Sequence, residues 1–132
     1  MTDRELMDMA REAAGKAYVP YSQFPVGAAL ECSDGTVFTG CNVENAALGS
    51  TICAERTAAC KAVSEGHQDF VRIAIWGEGK DYCMPCGACR QRIKEFSAPQ
   101  TLVHLADASG VRRTCTAAEL LPFAFDEKDL AK

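Results

Sequence analysis

The stretch Met84–Arg90, MPCGACR, decides how the rest of this chain is interpreted. Pro85 suits the first turn of a helix, where its missing N–H would have had no partner. Cys86 and Cys89 then stand at positions i and i+3, on one face of that turn. A helix N-terminus favours the thiolate form of cysteine, because the backbone dipole places partial positive charge there. The stretch therefore predicts half of a metal site.

The other half of the predicted site comes from the upstream stretch Thr51–Arg56, TICAER. Cys53 and Glu55 are two residues apart, so on a helix flank they would point about 200° apart. They can serve one site only if it lies off a helix end. We therefore place a metal ion between two helix N-termini, with Cys53, Cys86 and Cys89 as ligands. Three protein ligands and an open fourth position are typical of catalytic zinc, and Glu55 would handle protons beside that position.

Cys83 leaves a second interpretation open, because Cys83 and Cys86 are also spaced as Cys-x-x-Cys. With Cys83 added to the three predicted ligands, four sulfurs would form a closed, structural zinc site. Pro85 favours a position of Cys83 before the helix, pointing elsewhere. The remaining cysteines are interpreted as buried small hydrophobic residues. They are Cys32, Cys41, Cys60 and Cys115.

Composition limits the class of protein. The 132 residues, 48% of them hydrophobic, predict a single domain over residues 1–132 whose core does not need a metal to fold. The net charge of −4 disfavours binding to DNA or RNA, which requires clustered Lys and Arg. An N-terminus without an apolar signal core and the Cys-x-x-Cys spacing favour reduced thiols in a cytoplasmic protein. No apolar run approaches the ~20 residues of a membrane span.

The two histidines are not expected to be metal ligands, because His67 lies past a helix end and His104 lies in mid-strand.

Helical and strand patterns alternate along the chain. Thr2 and Glu5 form a capping box for a helix that Pro20 ends, and its alanines predict close packing on a sheet. Val26–Cys32 and Thr36–Cys41 form a predicted hairpin around a Ser-Asp-Gly turn. The further predicted elements are a helix over Cys53–Ser64, a strand over Val71–Trp76, a helix from Pro85 to near Phe96, strands over Thr101–Ala106 and Val111–Thr114, a short helix after Thr116, and a helical turn over Glu127–Ala131. This order predicts an α/β fold, a three-layer α/β/α sandwich over a five-stranded mixed sheet.

Cys-x-Glu followed by Pro-Cys-x-x-Cys resembles the pattern of the zinc nucleoside deaminases, in which a Glu that is not a ligand handles protons. Within that superfamily the chain is similar to the small, homotetrameric type of cytidine deaminase. The matching stretches are Tyr21–Leu30, Gly40–Ala47, Cys53–Ala58, Pro85–Gln91 and Leu120–Pro122. The resemblance implies conversion of cytidine and 2′-deoxycytidine to uridine and 2′-deoxyuridine with release of ammonia. It also implies one Zn²⁺ per subunit and a homotetramer with shared active sites.

The resemblance assigns catalytic roles to three neighbouring residues. It implies that Glu55 moves protons at the cytosine ring and that the backbone N–H of Ala54 contacts the pyrimidine carbonyl. Three thiolates give the zinc site excess negative charge, which hydrogen bonds to the sulfurs would offset. The resemblance gives that role to Arg56 and leaves Arg90 undecided.

The resemblance also assigns substrate-binding residues. Asn42 and Glu44 would hold the ribose hydroxyls, although on their own they would be interpreted as turn residues. Phe24 would lie against the base, and Phe125 would reach into the neighbouring subunit's site. These roles imply a free pyrimidine nucleoside as the substrate.

Two positions depart from the family pattern. Phe123 follows the Leu-Leu-Pro where Gly is common, and Leu48 stands where an aromatic residue is common. Both changes are expected to affect the subunit contact and the tolerance of substituted cytosines. The alternatives that remain open are a deaminase of a modified or N4-substituted cytosine nucleoside, a polynucleotide editor, which the net charge disfavours, and a non-catalytic module with a Cys₄ zinc site.

Overall fold

The structure is a computed structural model that describes residues 1–79, 85, 87–110, 112–125 and 130. Its elements are α1 (Asp3–Ala14), β1 (Val26–Cys32), β2 (Val37–Cys41), a 3-10 turn (Leu48–Ser50), α2 (Ala54–Ser64), β3 (Phe70–Gly77), α3 (Gly87–Glu95), β4 (Ser97–Asp107), β5 (Arg112–Thr116) and α4 (Ala117–Leu120). The five strands form one sheet in the order β2-β1-β3-β4-β5. The β3–β4 pair is parallel and the other pairs are antiparallel, which confirms the predicted mixed sheet.

The first helix begins as predicted, with a capping box. The Thr2 side chain accepts a hydrogen bond from the Glu5 N–H at 3.1 Å, and the Glu5 carboxylate accepts one from the Thr2 N–H at 3.2 Å. The helix ends at Ala14, earlier than Pro20 suggested. From Gly15 to Ala17 each N–H bonds the carbonyl three residues back, so the chain tightens into turns instead of continuing the α-helix.

One face of the sheet packs closely against α1. The buried part of the contact consists of four alanines with Leu6 and Met7, as the alanines of α1 predicted, and Met9, Val37 and Trp76 pack against it partly buried. A Cβ added to Gly27 of β1 would lie 1.8 Å from the carbonyl oxygen of Ala10. The backbones of α1 and β1 therefore touch, and no larger residue fits at position 27 without moving the helix.

The opposite face carries the larger hydrophobic core under α2, α3 and α4. Its buried aliphatic and aromatic residues include Leu30, Phe70, Ile73, Ile75, Ile93, Val103, Leu105 and Leu120. Helices on both faces of one sheet confirm the three-layer α/β/α sandwich. A second close approach fixes α2, since a Cβ on Gly40 of β2 would lie 2.6 Å from the Ala58 nitrogen and 2.7 Å from the Ala54 oxygen.

The last third of the fold differs in length from its prediction. Strand β4 begins at Ser97 and runs through Pro99, which was expected to precede a strand starting at Thr101. The register jumps between the pairs Phe70↔Ser97 and Arg72↔Leu102, so a bulge accommodates the proline. The predicted capping box at Thr116 is confirmed. The predicted turn over Glu127–Ala131 lies, apart from Leu130, outside the described residues.

Across the part of the chain that the structure describes, we find no helix with the length and apolar character that a bilayer crossing requires.

Candidate active site

The N-terminus of α2 is organised around Cys53, its N-cap residue. Cys53 has an extended backbone, with φ of −74° and ψ of 156°, and its side chain makes no capping hydrogen bond. Its carbonyl accepts the first bond of the helix, from the Thr57 N–H at 3.0 Å. The Thr57 hydroxyl lies 3.1 Å from the carbonyl oxygen of Cys41 in β2, which ties the helix start to the sheet. The sulfur of Cys53 is thereby placed at a helix end, as the sequence predicted.

Glu55 follows in the first turn and is buried, with 7% of its surface exposed. Burial raises the pKa of the Glu55 carboxyl above its ordinary value, and the adjacent Cys53 thiol group adds to the rise. Its backbone N–H, a hydrogen bond with Cys89 and the charge of Arg56 act in the opposite direction. A carboxyl whose pKa is raised towards neutrality is suited to accept a proton and return it.

Cys89 brings the second helix into the same site. It lies in the first turn of α3, is fully buried, and shares a hydrogen bond with the Glu55 carboxyl. The N-terminal turns of α2 and α3 therefore meet, as predicted, and they bring together Cys53, Glu55 and Cys89. The third predicted ligand, Cys86, lies outside the described residues, as does Cys83 of the alternative four-sulfur site. Among the described residues alone, no group of three or more His, Cys, Asp and Glu side chains is arranged to hold a metal ion.

The residues at this meeting point fit a zinc ion. Cysteine sulfur is a preferred zinc ligand, and helix N-termini favour the thiolate that zinc binds. The Nε atom of Arg56 is buried and has no hydrogen-bond partner among the described residues. A buried donor without a partner costs about 1–3 kcal/mol, and donation to a ligand thiolate would remove that cost. Cys53, Cys86 and Cys89 would hold the ion, with Arg56 as the donor to sulfur.

Arg90, whose role the sequence left undecided, donates hydrogen bonds to two backbone carbonyl groups. Its Nε donates to the carbonyl oxygen of Pro85 at 2.8 Å, and its Nη1 donates to that of Leu120 at 2.9 Å. These bonds tie the segment before α3 to the end of α4. Pro85 itself precedes α3, which begins at Gly87. The prediction that Pro85 lies in the first helical turn was therefore wrong.

Asn42 and Glu44 both bind the loop that follows α1. Asn42 accepts from the Val26 N–H at 2.9 Å and donates to the Phe24 carbonyl at 3.0 Å. The Glu44 carboxylate accepts from two backbone N–H groups of the loop, at 3.0 and 3.1 Å, and from the Ser22 hydroxyl. The Ser22 hydrogen bonds hold the pKa of Glu44 below its ordinary value. Their predicted contact with ribose hydroxyls stays a prediction; their observed contact shapes the loop that carries Phe24.

Phe24 is 38% exposed, so its ring is accessible to a ligand. The residue before it, Gln23, has a φ of +57°, a left-handed conformation that is uncommon for a residue with a side chain. The ring rests against Gly79, since a Cβ at that glycine would lie 2.6 Å from the ring. Sequence reasoning missed Gly79, because nothing in the local pattern after β3 signals a contact with a loop so far upstream.

The backbone of Phe125 is bound by α3, whereas its side chain projects into solvent. The Gln91 side chain of α3 donates to the Phe125 carbonyl at 2.9 Å, and the Phe125 side chain is 56% exposed. The two departures from the family pattern are exposed as well, Leu48 at 69% and Phe123 completely. Phe123 also has a φ of +54°, a conformation that Gly adopts without strain.

The remaining cysteines and histidines lie in other environments. Cys32 and Cys115 are buried and Cys41 is half-buried, but Cys60 is exposed, so the expectation that all four are buried was wrong for Cys60. It lies 3.8 Å from an Arg92 nitrogen on α3. The two histidines pair with carboxylates, His67 with Asp34 at 2.9 Å and His104 with Asp3 at 3.1 Å.

A family described as the cytidine and deoxycytidylate deaminase zinc-binding region matches residues 1–105. The chain belongs to this family. The cytidine deaminase of Sporosarcina psychrophila is 47% identical over 99% of this chain and 96% of that protein. The cytidine deaminase of Halalkalibacterium halodurans is 49% identical over 97% of this chain and 98% of that protein.

The fold of the deaminase family is also shared at the level of solved structures. The crystal structure of cytidine deaminase from Burkholderia pseudomallei superposes with a TM-score of 0.91 at 48% identity, over 95% of this chain and all of that one. As a family member the chain is a zinc-dependent enzyme.

Proposed function

We propose that this chain catalyses the hydrolytic deamination of cytidine and 2′-deoxycytidine to uridine and 2′-deoxyuridine, releasing ammonia. A single catalytic domain over residues 1–132 would carry the site. The observation that carries this proposal is the buried Glu55 carboxyl between Cys53 and Cys89, at two adjoining helix N-termini. Two relatives that are nearly half identical to the chain over almost all of its length are named cytidine deaminase.

In the proposed mechanism Glu55 is the proton carrier. When bound, Zn²⁺ supplies Lewis acidity, which activates water as a nucleophile at neutral pH. Glu55 accepts a proton from the attacking water and delivers it to N3 of the ring as the oxygen bonds to C4. It then takes the proton of the new C4 hydroxyl and delivers it to the amino group, and the C4–N bond breaks to release ammonia as the C4 carbonyl forms. The Ala54 N–H, at the same helix end, would bind the pyrimidine carbonyl.

The proposed substrate is a free nucleoside. Phe24 offers an accessible aromatic face to the base, and the neighbouring Asn42 and Glu44 retain acceptor capacity for ribose hydroxyls. Glu44 is anionic at neutral pH, as an ordinary glutamate is, and its lowered pKa keeps it so, which disfavours a phosphate at that end of the substrate. The net charge of −4 likewise disfavours a polynucleotide.

The proposed assembly is a homotetramer with shared active sites, acting in the cytoplasm in the re-use of pyrimidine nucleosides. Exposed apolar side chains support an interface between subunits, because large exposed apolar surfaces typically mark binding sites. These side chains include Tyr18, Tyr21, Val43, Leu48, Phe123 and Phe125. The Phe125 side chain is well placed to reach a neighbouring subunit, since Gln91 binds the backbone carbonyl of Phe125 and not its ring.

The substrate is tested by the loss of cytosine absorbance on adding the zinc-loaded protein. Cytidine, 2′-deoxycytidine, their monophosphates, N4-substituted cytidines and single-stranded DNA form the panel. We expect turnover of the first two, little of the monophosphates and none of the DNA. A chelator should abolish turnover and added zinc should restore it. Absence of turnover by the zinc-loaded protein on the two nucleosides would overturn the proposal.

Shared sites are tested by mixing two impaired variants. Glu55→Gln lacks the proton carrier but keeps Phe125, and Phe125→Ala keeps the proton carrier but lacks the projecting ring. If the ring completes a neighbour's site, dissociated and reassembled mixtures will exceed the summed activity of the separate variants. Equal activity before and after mixing, with mixed assemblies verified by mass, would exclude a shared site.

A further inference from the structure

Gly79 lies just beyond β3 and touches the ring of Phe24. A Cβ at Gly79 would stand 2.6 Å from Cε2 and 2.9 Å from Cζ of that ring, whereas ordinary contacts begin at 3.4 Å. Any side chain at this position must therefore move the ring by at least about 0.8 Å. Gly79 is not among the glycines with positive φ, so its backbone conformation is open to other residues and space alone requires glycine here.

Neither backbone at this contact is free to move away. The Phe24 N–H donates to the Ser22 hydroxyl at 3.1 Å, and the Phe24 carbonyl accepts from Asn42 at 3.0 Å. On the other side the Gly79 carbonyl accepts from the Ala108 N–H at 3.3 Å. The Glu78 N–H donates to the Pro25 carbonyl at 3.2 Å and joins the two segments directly. The displacement caused by a side chain at position 79 must therefore appear in the side-chain torsions of Phe24.

We propose that Gly79 is a positioning residue for the substrate: the space left by its missing side chain fixes where the Phe24 ring meets the pyrimidine base. This inference rests on the proposed function, in which Phe24 faces the base. Stacking on an aromatic ring contributes to ground-state and transition-state binding alike, so a displaced ring weakens both. The expected signature is a raised KM with little change in kcat.

The kinetic test compares wild type, Gly79→Ala, Phe24→Ala and the double variant on cytidine. We expect Gly79→Ala to raise KM about tenfold while kcat stays within about twofold. Phe24→Ala should raise KM by a similar or larger factor, and adding Gly79→Ala to it should change nothing further, because no ring remains to be displaced. Glu78→Ala, which alters the neighbouring exposed side chain, serves as the control and should leave KM unchanged.

Two kinetic outcomes overturn the inference while leaving the proposed function intact. One is an unchanged KM in folded Gly79→Ala, with folding verified by thermal unfolding. The other is an equal rise in KM when Gly79→Ala is added to Phe24→Ala, because the effect would then bypass the ring.

A measurement without substrate separates this inference from the proposed function. In wild-type protein, a nuclear Overhauser effect should connect the Gly79 Hα protons with the ring protons of Phe24, identified by their loss in Phe24→Ala. Its presence supports the contact even in a preparation that does not turn over cytidine. Its absence overturns the inference even in a fully active one.

Discussion

The first turns of α1 and α2 start from nearly the same backbone but use it in opposite ways. Thr2 and Cys53 are both extended N-cap residues, with φ of −84° and −74° and ψ of 164° and 156°. Thr2 caps its helix and pairs with an exposed Glu5, whereas Cys53 makes no side-chain cap and precedes a buried Glu55. The same kind of helix start therefore stabilises α1 through a cap, whereas in α2 it lacks a side-chain cap and carries the residues of the proposed active site.

The pKa values of the glutamates separate the two uses. The backbone N–H and hydroxyl of Thr2 lower the pKa of Glu5, and those of Thr116 lower the pKa of Glu119 in the same way. Burial raises the pKa of Glu55. A glutamate near a helix start is thus a stabilising anion where it is solvated, whereas burial raises its pKa and suits it to the proton transfer proposed for Glu55.

The largest effect on activity is expected from replacing Cys53, the N-cap residue of α2, by a residue that caps the helix. Cys53→Ser should lose zinc and reduce deamination about 10³-fold or more, because a proposed ligand is removed. The zinc-free variant should unfold at no lower temperature than zinc-free wild type, because serine is a good N-cap. Zinc content, turnover and thermal unfolding measure these effects. Thr2→Ser, the matched control at the start of α1, should leave zinc content and turnover unchanged. Full zinc binding by Cys53→Ser would contradict the difference proposed between the two helix starts.

The next largest effect is expected from Glu55→Gln, which keeps the size of the side chain and removes the carboxyl group proposed to transfer protons. Turnover should fall about 10³-fold while zinc content stays at the wild-type level. Glu5→Gln makes the same change at the solvated helix start and should leave turnover unaffected. Stopped assays with long incubation, together with metal analysis, distinguish the two variants. Near wild-type turnover by Glu55→Gln would mean that another group carries the proton.

A smaller effect is expected on stability from removing the caps of α1 and α4. Thr2→Ala and Thr116→Ala should each lower the free energy of unfolding by about 1 kcal/mol, because each leaves helix N–H groups without their acceptor. Neither should change KM or kcat. Denaturant unfolding of the two variants beside wild type provides the measurement. A loss of turnover in folded Thr2→Ala would show that the start of α1 is not purely structural.

The smallest effect is the pH dependence of the α1 cap. The folded pKa of Glu5 is lowered from its ordinary value of 4.5, so its charge stabilises the fold fully above about pH 4.5. That contribution disappears as the pH falls through the folded pKa. The difference in unfolding temperature between wild type and Glu5→Gln should therefore shrink between pH 7 and pH 3. A difference that grows in acid would reverse the sign assigned here.

The sequence predicted what depends on local pattern. Capping boxes at Thr2 and Thr116, the hairpin of β1 and β2 and the order of helices and strands all follow from spacing within a few residues, and the structure confirms them. The meeting of Cys53 with Cys89 was also predicted, because thiol spacing at helix starts indicates metal chemistry. The bulge that admits Pro99 into β4 was missed, since it depends on pairing with β3 and not on the proline itself.

The roles that escaped sequence reasoning belong to side chains that bind distant backbone. Arg90 reaches a carbonyl 30 residues away and Gln91 one 34 residues away. Carbonyl groups are present at every residue, so no sequence pattern shows which of them an arginine will reach. The contact of Gly79 with Phe24 escaped for the same reason, because it is set by how two loops approach in space.

The bare backbone of Gly40 has a consequence for attempts to make this enzyme more heat-resistant. Replacing glycine by alanine is a standard way to stiffen the unfolded chain and raise melting temperature. At Gly40 the added methyl group would strike the backbone of α2 at Ala54 and Ala58, near the start of the helix whose N-cap residue is Cys53. A ranking of glycines by backbone angle alone would not exclude this edge-strand position, although an alanine there would push α2 away from the sheet and with it Cys53 and Glu55.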